Sequence, residues 1–407
     1  MKRKGEGILA EVRKGHKPLR VGMIGYKFMG KAHTHAYRDV PFYFDSPLQP
    51  ELTAICGRDE AGVKEAAEKF GFASYETDWR TLIERDDIDL IDVGTPNNSH
   101  AQIVLEAVKA GKHIICEKPL AMTLAEAAAM WKAAKETNIV HMVSHNYRFA
   151  PAIQLAKKLI EEGRLGKLYH IRAAYLQDWI MDPDFPLVWR LRKEVTGSGA
   201  LGDIASHIID LARFLAGEIA EVTGMMETFI KERPLGEMAG GLHASKEAGT
   251  GKVDVDDAAA FLARFENGAL GVFEATRFAA GNRNRNCIEI NGSKGSLRWD
   301  LENMNLLQVY FTDDEPGVQG FRTINVTESI HPYTGNYWPA GHIVGYEHTF
   351  ISMLYELMKG IATGTGVTPS FEDGLRNQAV MEAVERSAAQ KSWVNVNKLL
   401  QEALQEA

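Results

Sequence analysis

Between Leu19 and about Val143 the sequence alternates short, almost wholly apolar runs with longer amphipathic stretches. The apolar runs are LRVGMIG, LTAIC, IDLIDVG, HIICE and IVHMV. Between them lie DEAGVKEAAEKFG, SHAQIVLEAVKAGK and TLAEAAAMWKAAKET, in which alanines and paired charges recur at helical spacing. A strand that is apolar on both faces must be covered on both faces. Strands of this kind separated by helices therefore predict a parallel sheet between two helical layers. Gly71 and Gly111 stand where the first helices should stop.

The rhythm changes after about Ser144. A helix is expected near Pro151–Glu162, then an alternating segment from Lys167. Segments near Asp257–Phe265, Ala269–Phe278, Asn286–Asn291 and Gly295–Asp300 alternate in the manner of half-buried strands, with turn signals at Glu266-Asn267-Gly268 and Asn291-Gly292-Ser293. A helix near Gly199–Leu215 interrupts them, and helices return from about Gly345. The glycine-rich stretch Lys231–Lys252 reads as a surface loop or an extra hairpin. The expected architecture is α/β plus α+β. An N-terminal extension (1–17) leads into a doubly wound Rossmann domain (18–144). A second domain (145–407), built on a large, mostly antiparallel sheet, serves substrate binding and oligomerisation.

Composition narrows the function classes. A chain of 407 residues with 45% apolar and 25% charged residues buries ordinary globular cores. Its net charge of −8 argues against a nucleic-acid partner. No run of about twenty apolar residues is present, so no membrane span is expected. The basic start, MKRKGEGILAEVRKGHKPLR, lacks the apolar segment of a secretory signal. Cys56, Cys116 and Cys287 have no metal or redox spacing and suit a reducing cytoplasm. No His, Asp or Cys cluster has metal-ligand spacing, so no metal is expected.

The first apolar run ends in Gly25-Tyr26-Lys27-Phe28-Met29-Gly30, with a helix due to start near Met29. A glycine turn opening a helix aims backbone N–H groups and the positive helix end at one point, which suits a pyrophosphate. Lys27 occupies the place of the usual middle glycine. The second run ends at Cys56-Gly57-Arg58-Asp59. Arg58 favours the 2′-phosphate of NADP, whereas Asp59 keeps NAD open. Two further runs end in Thr95-Pro96-Asn97-Asn98-Ser99-His100 and Glu117-Lys118-Pro119, at the carboxyl edge where an open α/β sheet binds its ligand. A lysine projecting into that cleft can stabilise a developing alkoxide; a solvated surface lysine is the plain alternative. Farther on, Gly197-Ser198-Gly199-Ala200-Leu201-Gly202 leads into Asp203 and His207. Their i, i+4 spacing puts a carboxylate beside an imidazole on one helix face, an arrangement that raises imidazole basicity and suits proton removal from an alcohol.

The run TPNNSHAQIVLEAVKAGKHIICEKPLAMT together with the Asp-x-x-x-His segment resembles the Gfo/Idh/MocA family of oxidoreductases. The resemblance extends from about Leu19 over nearly the whole chain. It implies a dehydrogenase that oxidises a ring hydroxyl of a sugar, glycoside or cyclitol with NAD or NADP, acting as a homodimer or homotetramer. The lysine at Lys118 would touch both nicotinamide and substrate, and the bond before Pro119 is often cis in the family. Expected cofactor contacts are Gly25, Lys27, Phe28, Met29, Gly30, Arg58, Thr95, Pro96, Asn97, His100, Glu117 and Lys118. Lys118, Asp203 and His207 are the catalytic candidates. For the substrate, aromatic faces and polar groups point to Asn146, Arg148, Trp189, Arg190 and His342, the last in the loop Tyr333–His342, together with the three catalytic residues. Two relatives' activities stay open at this level: glycoside cleavage through transient oxidation, and dinucleotide binding without catalysis.

Overall fold

The computed structural model describes residues 17–240 and 243–407; the N-terminal extension falls almost wholly outside them. Six parallel strands form the first sheet: β1 (Lys17–Ile24), β2 (Leu48–Cys56), β3 (Ser74–Glu76), β4 (Leu90–Val93), β5 (His113–Cys116) and β6 (His141–Val143). Their order, β3-β2-β1-β4-β5-β6, reverses direction between β1 and β4. The crevice above that switch point is where such sheets take a dinucleotide. β4 is apolar except for Asp92, which is fully buried.

The second sheet has nine strands, in the order β16-β15-β14-β13-β7-β12-β11-β8-β17. They are β7 (Leu168–Leu176), β8 (Ile219–Glu227), β11 (Ala258–Phe265), β12 (Leu270–Thr276), β13 (Arg285–Gly292), β14 (Gly295–Asp300), β15 (Leu306–Phe311), β16 (Arg322–Asn325) and β17 (Val394–Asn395). Every pairing is antiparallel except β7 with β12. The glycine-rich stretch forms a separate hairpin, β9 (Glu232–Gly240) with β10 (His243–Lys252). In β11 the alternation is strict: Ala259, Phe261, Ala263 and Phe265 face inward, and Leu262 and Arg264 face out.

The helix Ser206–Ala216 is buried at every residue but Phe214 and packs on β7 and β13 and on the helix Phe371–Gln390. The last part of the chain returns to the first sheet. Phe350, Met353, Leu354 and Leu357 of the helix Tyr346–Thr363 share one core with Val21, Met23, Tyr37 and Val40. A second core, in which Val93, Ile114 and Val143 of the first sheet join Ile171, Phe261 and Ile288 of the large one, ties the two sheets together.

Candidate active site

At the dinucleotide turn, Gly25 has φ of +105° and its N–H donates to Cys56 O at 2.9 Å. A Cβ on Gly30 would stand 2.1 Å from Gly25 O, so strand and helix approach each other as only glycine permits. The helix Phe28–Tyr43 starts there, and the N–H groups of Phe28, Met29 and Gly30 have no partner within it. Lys27 precedes the helix, and its ammonium has no partner among the described residues. Phe28 is half exposed and lies nearly parallel to Tyr346, with ring centres 6.5 Å apart. These residues fit a dinucleotide pyrophosphate. Among the described residues Arg58, which is exposed, makes no side-chain bond, whereas Asp59 caps the helix Glu60–Phe70 through Gly62 N at 3.1 Å and lies beside Tyr26.

The loops after β4 and β5 are braced from below. His100 is buried, with Nε2 2.9 Å from Thr95 O and Nδ1 3.0 Å from Pro119 O. It therefore ties the Thr95-Pro96 turn to the lysine turn and presents no free ring nitrogen to a cofactor. Asn97 Nδ2 donates to Thr196 O at 2.9 Å, linking the two domains beside the cleft. Glu117, expected at the cofactor, also turns inward, with one oxygen on His33 and the other on the Lys118 N–H. The Lys118–Pro119 bond is cis. The Lys118 ammonium donates to Asp203 O at 2.8 Å and to Asp203 Oδ1 at 3.2 Å.

Asp203 departs from the expected pairing. It lies in a π-helical turn, Leu201–Ala205, that interrupts the α-helical spacing. Its carboxylate does not bond His207. Arg277 Nη2 donates to Oδ2 at 2.8 Å while Lys118 takes Oδ1. Burial alone would raise the carboxyl; the cations Lys118, Arg277 and Arg190 outweigh it and hold the group far below the carboxylate range. The entry to this turn is fixed by Asp256, which accepts from Gly199 N at 2.7 Å and Leu201 N at 2.8 Å.

His207 sits among aromatic rings: Tyr147 at 4.7 Å, Tyr175 at 5.8 Å and His145 at 5.9 Å between centres. Among the described residues neither of its ring nitrogens has a hydrogen-bond partner. Its basicity moves opposite to expectation. Burial, then Lys118 and His145, push it well below the ordinary imidazole value, and Asp203 only partly offsets them. A polar chain leads outward from the rings. Tyr147 Oη meets Tyr175 Oη at 3.1 Å, and Tyr175 donates to Asn284 Oδ1 at 2.7 Å. Gln177 Nε2 donates to the same oxygen at 2.9 Å, and Trp179 Nε1 to Gln177 Oε1 at 2.9 Å.

Of the substrate candidates, Arg190 is near Asp203 and rests on its own neighbour Trp189, 4.3 Å from the ring centre. The other three are placed otherwise. Arg148 is a buried structural cation, bidentate to Asp210 at 2.6 and 2.7 Å and bonded to Asp373 at 2.9 Å. Asn146 is buried, with its amide on Thr349 Oγ1 at 2.8 Å. His342 is exposed and bonds only Pro339 O, because the aromatic loop around it is a packing anchor: Tyr337 packs against Tyr43, Phe44 and His348. Arg277 and Tyr175, which lie beside Asp203 and His207, were not singled out from the sequence. Arg277 left a signal, since it continues the inward-facing parity of β12 as a charged residue.

Residues 19–145 match the family described as "Oxidoreductase family, NAD-binding Rossmann fold", and residues 153–298 match the GFO/IDH/MocA C-terminal domain. The chain belongs to the Gfo/Idh/MocA family. It is an NAD(P)-dependent oxidoreductase of that family, acting on CH–OH groups. It is 46% identical over 386 residues to a levoglucosan dehydrogenase of Pseudarthrobacter phenanthrenivorans, covering 94% of this chain and 99% of that one. A myo-inositol 2-dehydrogenase of Thermotoga maritima is 28% identical over 382 residues, with coverages of 94% and 100%. Among solved structures, an oxidoreductase domain protein from Kribbella flavida superposes with TM-score 0.89 at 53% identity, and covers 93% of this chain and 99% of its own. Levoglucosan dehydrogenase in complex with NADH and levoglucosan also gives TM-score 0.89, at 46% identity and the same coverages. No helix among the described residues is long and apolar enough to cross a membrane.

Proposed function

We propose that the protein oxidises a ring hydroxyl of a sugar or cyclitol, with the anhydrosugar levoglucosan as the first compound to test. The observation that carries this reading is the meeting of Lys118, Asp203 and His207 at the carboxyl edge of the first sheet. Lys118 donates to the substrate oxygen and favours its alkoxide character. His207 takes the proton on a ring nitrogen that no protein group occupies. Asp203 orients Lys118 and offsets the positive charge that arrives on the imidazole. Tyr346 and Trp179 offer faces to the apolar side of a ring, and Arg190 meets its oxygens. NAD, when bound at the Gly25–Gly30 turn, accepts the hydride.

The test is a panel of levoglucosan, inositols, hexoses and glycosides with NAD and with NADP, following the reduced cofactor. Lys118→Ala and His207→Ala should each lower turnover by at least about a hundredfold and leave NADH binding intact. Wild-type rates in both variants, or sugar release without net cofactor reduction, would overturn the reading.

A second copy of the chain as partner, in a dimer or tetramer, is supported by the outer face of the large sheet. Tyr169, Met225, Leu262, Leu270 and Val272 are exposed there. Light scattering that returns a monomer would refute this. A cytoplasmic location is supported by three unpaired cysteines, two of them buried.

A further inference from the structure

Directly beneath Lys118 lies a group of ionisable side chains that the reaction above does not use. Asp92 is fully buried in β4, flanked by Leu90, Ile91 and Val93. A lone carboxylate there would be strongly destabilising, and it is met by two donors. Tyr37 Oη donates to Oδ2 at 2.9 Å, and His33 Nδ1 lies 2.9 and 3.0 Å from the two oxygens. The opposite nitrogen of the same imidazole, Nε2, is 3.0 Å from Glu117 Oε1, with Ser144 Oγ at 3.3 Å. The second oxygen of Glu117 accepts the backbone N–H of Lys118 at 3.2 Å. His33 and Asp92 have no exposed surface, and Glu117 is 4% exposed. Burial disfavours a charged ring at His33, but the carboxylates of Asp92 and Glu117 outweigh it and push the imidazole up to about 10. Glu117 is held below its ordinary value because His33, Lys118 and Ser144 outweigh its own burial.

Stability alone gives no reason for such a chain. Buried ionic groups can be replaced by packed apolar residues at little or no loss, so their retention points to a need for geometry. The geometry here is specific. His33 stands on the helix Phe28–Tyr43, whose first turn faces the dinucleotide, Asp92 stands on β4, and Glu117 ends β5. The hydrogen bonds run without a gap from that helix to the lysine. Lys118 is consequently pinned at both ends: its backbone N–H by Glu117 and its ammonium by Asp203.

We propose that Asp92, His33 and Glu117 are positioning residues for Lys118, a buried charged brace that sets the lysine relative to the dinucleotide helix. The proposal rests on the reading of Lys118 as catalytic. Misplacing a reacting group by about 1 Å costs on the order of a hundredfold in rate, which gives the brace a measurable effect.

The test is a pair of double-mutant cycles. Glu117→Gln and His33→Gln are each made in the wild type and in Lys118→Ala, with kcat, NADH affinity by fluorescence and the melting temperature measured for every protein. In the wild-type background each should lower kcat by about tenfold or more and change NADH affinity by less than about twofold. In Lys118→Ala the same substitutions should change the residual rate by less than about twofold, because the group they position is gone. A slow Lys118→Ala whose losses multiply with those of Glu117→Gln and His33→Gln overturns the brace alone. A wild-type-like Lys118→Ala overturns the reading of the site and the brace with it. One readout needs no turnover or variant: 15N shifts of His33 should report an imidazolium at about pH 8.5. A neutral ring there overturns the charged brace.

Discussion

Asp203→Asn isolates the contact on which the site turns. The carboxylate accepts from Lys118 with one oxygen and from Arg277 with the other, at 3.2 and 2.8 Å. An asparagine of the same shape has one oxygen and one NH2. It can keep one cation and must aim N–H groups at the other. The loss is at least one charge-assisted hydrogen bond, about 1.5–3 kcal/mol. The bond from Lys118 to the Asp203 carbonyl, at 2.8 Å, survives the change and limits the displacement of the ammonium. Expressed at the transition state, about 1.5–3 kcal/mol is about a 13- to 160-fold loss in kcat/KM. The assay is the initial rate of NADH formation with the best sugar of the panel, alongside NADH titration and a thermal melt. A variant that melts normally, binds NADH normally and keeps kcat/KM within about threefold of wild type would refute the argument. The Lys118–Asp203 contact would then be a feature of the resting enzyme alone.

Gly30→Ala places a methyl 2.1 Å from Gly25 O, where backbone must move; NADH titration should show affinity lowered by about tenfold or more, together with a lower melting temperature. Arg148→Met strips Asp210 and Asp373 of their shared buried cation. It should cost about 3–5 kcal/mol in denaturant unfolding while leaving the KM for sugar unchanged in the folded protein. A raised KM without loss of stability would return Arg148 to the substrate site.

The parallel sheet was legible because its strands are buried on both faces and the helices between them are amphipathic. No residues could be assigned to β3 from the sequence, because Ser-Tyr-Glu is an edge strand of half-buried residues with no apolar run. The parallel pairing of β7 with β12 was not legible either, since strand order in a sheet is set by contacts distant in sequence. The same distinction runs through the site. Lys118, Asp203 and His207 could be named from local motifs. The partner of Asp203 could not, because Arg277 lies 74 residues away and reaches it only through the fold of the large sheet. Arg148 and His342 show the converse: each stands in a stretch dense in polar and aromatic residues, but the fold puts the former in a buried ion network and the latter on the surface.

The weakened basicity of His207 makes one more outcome calculable in sign. The groups facing the ring are Lys118 and His145, which oppose its protonation, and Asp203, which favours it; burial outweighs all three. His145 is no competing base, being itself pushed down to about 4 by burial first. The free-base form that accepts the substrate proton is thus populated throughout the neutral range. If His207 is the base, the acid limb of kcat/KM should lie below the ordinary imidazole value of about 6.5. Asp203→Asn removes the one favouring charge, so the limb should move to still lower pH even as the plateau drops. A limb at or above about 6.5 in the wild type, or one that rises in Asp203→Asn, would mean that the proton goes to a group other than a buried imidazole beside Lys118. The position of the limb therefore tests the identity of the base independently of the size of any mutational loss.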